Sequence, residues 1–307
     1  MAILRAAIPG VQISFASEYP RWCFAHAERP AKMTTVQKLC SLTHRGKPAE
    51  QPGMGNALDI ASVTQCDLVV FSGMAICKEF VDVNGPTVLA LAKRGVPVLL
   101  LGTGALLYSE EERTTYADFL SKVKPIGFIS RDEPSHQVYA KFAETSFCGI
   151  DCAFFLPEAY TPFSLTLPPF VVANFDHEPE PKLDLQGRLL IPSHHECWGP
   201  TKAHWTPHSN TLISDIPHDY LTLYANAEEV HSDRVHACIA TLTYGRRARL
   251  YASTPRSALF KAVGAENIGD NLVQLDMQSL ATKKQAQVEF VRTLVAKRFQ
   301  ISGNHQA

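Results

Sequence analysis

Short continuous apolar runs, bounded by glycine, proline and small polar residues, recur along the chain, and segments with apolar positions three and four apart lie between them. Residues 67–71, 96–101, 126–131 and 149–156 read as buried strands. Helices are expected over 88–94, closed by Gly95, and over 110–123, with Tyr116, Phe119 and Leu120 facing a core. A further helix over 133–145 has Asp132 placed to cap it and Pro134 tolerated in its first turn. Apolar strands alternating with helices predict a parallel sheet covered on both faces. Residues 157–169 hold four prolines and no periodicity, which marks a linker. A second set comes after it: strands over 170–175, 187–191, 210–216 and 248–252, and helices over 219–225, 257–263 and 279–299. The first 60 residues are less regular, with a strand expected at 11–15 and a helix near 34–42. The expected organisation is an α/β chain with an N-terminal domain over 1–160, a C-terminal domain over 161–276, and a final helix and tail over 277–307.

One stretch, His231 to Gly245, joins this pattern to chemistry. Ser232 and Asp233 are N-cap types, Val235, Ile239 and Leu242 form one apolar helix face, and Gly245 suits a helix end. Arg234 and His236 then fall in the first turn. A helix N-terminus attracts anions through its unpaired N–H groups and its dipole. Arg234 adds a planar fork matched to carboxylate or phosphate, and His236 a group that exchanges a proton near neutral pH. These residues alone are equally consistent with Arg234 pairing with a neighbouring acid and His236 being a packed histidine.

Composition narrows the classes. The 307 residues are 46% hydrophobic and 19% charged, enough to bury substantial cores. Lys+Arg 29 against Asp+Glu 30 leaves a formal net charge of −1, which gives no support to a nucleic-acid partner or an anionic-membrane footprint. The eight cysteines form no C-x-x-C pair and read as reduced thiols. Arg5, Pro9 and Gln12 interrupt the apolar start, and the richest later run, 95–108, is short and broken by glycine. The expectation is a cytoplasmic protein with no stable membrane insertion.

Other candidates sit at strand ends. Gly102 and Gly104 are candidates to cradle a phosphate, although a G-x-G without the rest of a dinucleotide fingerprint is weak and tight turning is the favoured explanation. Arg131 ends a strand, where a crevice is expected in an open sheet; an ion pair with Asp132 or Glu133 is the competing reading. The run His194-His195-Glu196-Cys197 invites a metal, but its spacing fits neither a zinc finger nor H-E-x-x-H. A histidine-rich loop touching a polar ligand is the reading adopted, with no metal expected; Lys202 to Asn210, with His204, Trp205 and His208, extends the same wall.

The order of three motifs resembles the polysaccharide pyruvyl transferase family. Ser130-Arg131-Asp132-Glu133 is similar to its S-x-R-D-E step, Asp151 to Leu156 to its D-P-A-F-L segment, and Arg234-Val235-His236-Ala237 to its R-L-H-A helix start. Lys261 and residues 259–264 resemble the family's next segment after R-L-H-A. The likeness covers roughly residues 65–265. It departs at Ser72-Gly73-Met74, where the family has a glycine pair, and Gly55-Asn56 is a poor counterpart of the family's acceptor loop. The resemblance implies two Rossmann-like domains facing across a cleft, GT-B-like. It implies transfer of a pyruvyl group from phosphoenolpyruvate, with no cofactor, to two hydroxyls of a sugar or lipid-linked glycan as a ketal. Arg131 and Arg234 would clamp the donor, and His236 would be the acid. A GT-B-type glycosyltransferase using a nucleotide sugar, and a non-catalytic carbohydrate-binding or assembly protein, are the two alternatives.

Overall fold

Two parallel sheets carry the molecule, and each one's strands end on the side where the other's chemistry lies. The structure, a computed structural model, describes residues 1–15, 63–73, 75–195 and 210–300. The first sheet is built from β1 (Val69–Ser72), β2 (Ala75–Ile76), β3 (Val98–Ala105), β4 (Gly127–Ser130) and β5 (Ser146–Cys148), in the order β1-β3-β4-β5 with β2 also on β3. Helices α2 (Lys78–Lys93), α3 (Glu110–Val123) and α4 (Glu133–Tyr139) connect them. α3 starts at Ser109, whose side chain accepts from the Glu112 N–H, with three glutamates in the first turn against the helix dipole. Leu100, Tyr116, Phe119, Leu120 and Phe128 pack one face of this sheet.

A short helix α5 (Leu156–Ala159) leads to the second sheet: β6 (Phe170–Asn174), β7 (Leu189–His194), β8 (Leu212–Ile213), β9 (Glu229–Ser232) and β10 (Arg247–Leu250), with α6 (Pro217–Asn226) before β9 and α7 (Val235–Thr243) after it. The order β10-β9-β6-β7-β8 is a doubly wound sheet whose direction reverses between β6 and β9. Both sheets are parallel at every paired strand.

α7 ties the lobes together. Val235, Cys238, Ile239 and Leu242 enter a core shared with Leu99, Leu101, Ile129 and Phe154 of the first lobe. Ala237 and Ala240 face the second sheet's core. The Thr243 hydroxyl donates to the Phe154 carbonyl at 2.7 Å, and the Tyr244 hydroxyl to that of Tyr160 at 3.0 Å. Beyond α8 (Ala258–Lys261), α9 (Met277–Phe299) returns to the first sheet: Leu294 and Val295 join the shared core, and Gln287 accepts from the Ile150 N–H at 2.8 Å.

Four expectations need correction. The segment 11–15 is not a strand; the regular element here is helix α1 (Ala2–Ala7), whose Ile3 and Ala7 are buried in the shared core. Residues 149–156 are not a strand but a 3-10 turn, Cys152–Phe155, followed by α5, because Asp151 caps the turn by accepting from the Ala153 N–H; an apolar run of that length fits either state. The strands β5 and β9 were not anticipated, being short and mixed in polarity. The strand at 96–101 runs on through Gly102 and Gly104 to Ala105. The helix near 34–42 and Gly55-Asn56 lie outside the described residues. Among the described residues no helix is long and apolar enough to cross a membrane.

Candidate active site at two strand ends

β4 delivers Arg131 one residue past Ser130. Its side chain is buried beneath β3: Nη2 donates to the Ala105 carbonyl at 2.9 Å, Nε lies 3.8 Å from Asp132, and Nη1 lies 3.6 Å from Asp151 Oδ2. The β3 glycines explain how it fits. A Cβ on Gly104 would stand 2.7 Å from both Arg131 Nε and Asp132 Oδ2; one on Gly102, with φ +64°, would stand 2.5 Å from Cys152 Sγ. These glycines admit close packing from above, and their Cα atoms face side chains rather than open space. Asp132 caps α4 through the Ser135 N–H at 2.8 Å and accepts from the Tyr108 hydroxyl at 2.7 Å.

Asp151 joins this buried arginine to the other lobe. The same Oδ2 lies 3.7 Å from His236 Nε2, so one carboxylate oxygen stands between Arg131 and His236. Burial pushes the Asp151 pKa up, but His236 and Arg131 outweigh it and hold the carboxyl below its usual value. On the other edge of the imidazole, Arg256 Nη2 contacts Nδ1 at 3.0 Å. Burial, with Arg131 next, holds the Arg256 pKa below the ordinary guanidinium value. His236 is the exposed position of a helix whose other residues are buried, so packing fixes its backbone on both sides.

Arg234 occupies the N-cap of α7, and no side chain caps that helix. Ser232 and Asp233 do not cap it as expected. Ser232 Oγ accepts from the Arg234 N–H at 2.9 Å and donates to Asn174 at 3.0 Å. Asp233 turns back across the switch point, where its Oδ2 accepts from the N–H groups of Asp176, His177 and Glu178 at 2.9, 2.6 and 2.9 Å. That anchors the loop after β6 and sets Asp176, whose carboxylate pairs with Arg234 Nη1 at 2.8 Å and faces His194 Nδ1 at 3.4 Å. His195 joins this group through its backbone N–H, which donates to Asp176 Oδ2 at 3.2 Å, while its ring stacks on Tyr220 at 4.0 Å and its Nε2 meets the Tyr224 hydroxyl at 2.6 Å. Glu196, Cys197, Lys202, His204, Trp205 and His208 lie outside the described residues. Among the described residues no group of three His, Cys, Asp or Glu is placed to hold a metal.

Asp151 therefore links Arg131 to one edge of His236, Arg256 meets the other edge, and Arg234 stands at the start of the helix that carries His236. Asp151, Asp176 and Arg256 were not singled out from the sequence. Arg256 lies past the end of β10 in the 3-10 turn Pro255–Ser257, so the strand-end rule applied to Arg131 would have reached it. A cavity of about 560 Å³ adjoins the cluster, between the start of α4 and helices α8 and α9, lined by Glu133, Phe147, Cys148, Ile150, Lys261 and Lys283. It borders the cluster through chain neighbours, Glu133 beside Asp132 and Ile150 beside Asp151, and does not enclose it.

A family model described as polysaccharide pyruvyl transferase matches residues 4–254. No curated protein matches the chain by sequence. Among solved structures, the S. aureus MnaA-UDP co-structure is similar at 9% identity and TM-score 0.51, covering 100% of this chain and 88% of that one. An enzyme from Listeria monocytogenes titled a putative UDP-N-acetylglucosamine 2-epimerase is similar at 12% identity and TM-score 0.49, covering 81% of this chain and 78% of that one. At such identities the likeness is one of fold, α/β and GT-B-like.

Proposed function

The chain belongs to the polysaccharide pyruvyl transferase family, and from that premise we propose that it moves the pyruvyl group of phosphoenolpyruvate onto two hydroxyls of a sugar or lipid-linked glycan. The products are a cyclic ketal and phosphate. The observation that carries the reading is the meeting of Asp151 and Arg256 on opposite edges of His236, with Arg234 at the same helix start.

The chemistry asks for those groups. Protonation of the donor's C3 makes C2 electrophilic; one acceptor hydroxyl adds there, and phosphate leaves as the second hydroxyl closes the ring, each hydroxyl giving up its proton. His236 is the acid for the first step, a role worth roughly 10²–10⁴-fold. Arg234 and the uncapped amides of α7 take the phosphate, where charge develops as it departs. Arg131 is too deeply buried to reach an open cleft, with a side chain 2% exposed. In this reading it holds Asp151, which orients His236, and so acts on the donor at one remove.

The test is incubation of the full chain with phosphoenolpyruvate and a panel of sugar acceptors, reading released phosphate and the new ketal methyl group by NMR. Acceptor-dependent release, lowered at least 100-fold in His236→Ala, is the expected result. Consumption of nucleotide sugars with phosphoenolpyruvate untouched would overturn the reading in favour of a glycosyltransferase.

A further inference from the structure

A guanidinium has donors and no acceptor. The 3.0 Å contact of Arg256 Nη2 with His236 Nδ1 therefore needs the lone pair of that nitrogen, and the neutral ring carries its hydrogen on Nε2, facing Asp151 Oδ2 at 3.7 Å. In that form the ring is not an acid, because loss of the Nε2 hydrogen would leave an imidazolate. Adding a proton at Nδ1 would set two N–H groups against each other at the same contact. The acid proposed above exists only once Arg256 has let go.

Arg256 is built to let go to an anion. Among the described residues it makes no ion pair with a carboxylate, and its Nε is buried without a hydrogen-bond partner. Arg131 and Arg234 act on it as like charges. The groups around His236 are thus Asp151 and Arg131 from the first lobe, and Arg234 and Arg256 from the second. Arg131 is paired with Asp132 and Asp151, and Arg234 with Asp176, which leaves Arg256 as the guanidinium of this group with no carboxylate partner among the described residues, open to an anion.

We propose that Arg256 locks His236 in its Nε2–H form while the site is empty and is drawn off Nδ1 by a phosphate-bearing ligand, freeing that nitrogen to take a proton from water. Arg256 is a positioning residue in the empty site and binds the phosphate in the loaded one. The inference rests on the phosphoenolpyruvate reading for the natural ligand, and not for the lock itself.

The experiment is ¹⁵N-histidine NMR of the full chain near neutral pH, with the His236 signals identified by their loss in His236→Gln. The empty protein is expected to show a protonated Nε2 and a bare Nδ1, and saturating inorganic phosphate or phosphoenolpyruvate to protonate both. Arg256→Met should release the empty ring to a mixture of tautomers and raise KM for phosphoenolpyruvate at least tenfold, whereas Arg256→Lys should retain the Nε2–H form. A protonated Nδ1 in the empty protein, an Arg256→Met spectrum like the wild type, or a ring unmoved by both ligands would overturn the proposal. A response to phosphate and none to phosphoenolpyruvate would uphold the lock and refute the donor assigned above.

Discussion

Two strand ends carry the same three residue types in different order. β4 ends in Ser130-Arg131-Asp132, and β9 in Ser232-Asp233-Arg234. Both serines are fully buried. Successive side chains leave a strand on opposite faces, so exchanging Arg and Asp exchanges where each one goes. Coming first, Arg131 is driven under β3 and tied to Asp151, while Asp132 reaches the start of α4 as its cap. Coming second, Arg234 arrives at the helix start itself with 29% of its side chain exposed, while Asp233 turns back to hold the loop after β6. One order builds scaffold and the other leaves a charge partly exposed at a helix start.

The contrast is sharpest in stability. Arg131→Ala leaves Asp151 buried without its partner and is expected to cost about 3–5 kcal/mol by denaturant unfolding. Arg234→Ala leaves the buried Asp176 carboxylate with His194 and the His195 N–H still beside it, and is expected to cost less, about 1–3 kcal/mol, while lowering turnover more than any loss of folded protein accounts for. Equal costs at the two positions would break the comparison. Next, Asp233→Ala removes the acceptor of three amides and is expected to cost about 1–3 kcal/mol. Asp233→Asn, which keeps an oxygen there, should recover part of it.

Gly104→Ala tests the packing over Arg131. Its new Cβ meets Arg131 and Asp132 at 2.7 Å, and a loss of about 1–3 kcal/mol is expected, with Gly95→Ala as a control that has open space but a φ of +80°. The smallest effect is in pH. Asp151 has a folded pKa below its unfolded value, so its contribution is fully present above about pH 4 and is lost as pH falls through the folded value. The wild type should lose stability more steeply than Asp151→Asn on acidification below about pH 4, at up to about 1.4 kcal/mol per unit.

Much of this was legible because apolar burial writes itself locally. The strands at 67–71 and 170–175, the helix at 110–123 and the helix-ending Gly245, with φ +75°, lie where the pattern expects them. What escaped was decided by distant contacts. The run 149–156 carries no period to separate strand from turn, and the Asp151 cap decides it. Asp233 has the profile of a helix cap, yet the loop at 176–178 offers it three amides at once. Asp151 and Arg256 become interesting only when the lobes meet around His236, a pairing no local window contains.

Calorimetric titration of the full chain with phosphoenolpyruvate, for the wild type and for Arg234→Gln, tests the central claim most directly. The account predicts saturable binding by the wild type and affinity at least tenfold weaker in the variant, with the fold intact. Equal affinity in the two proteins, or binding of a UDP-sugar where phosphoenolpyruvate does not bind, would contradict it.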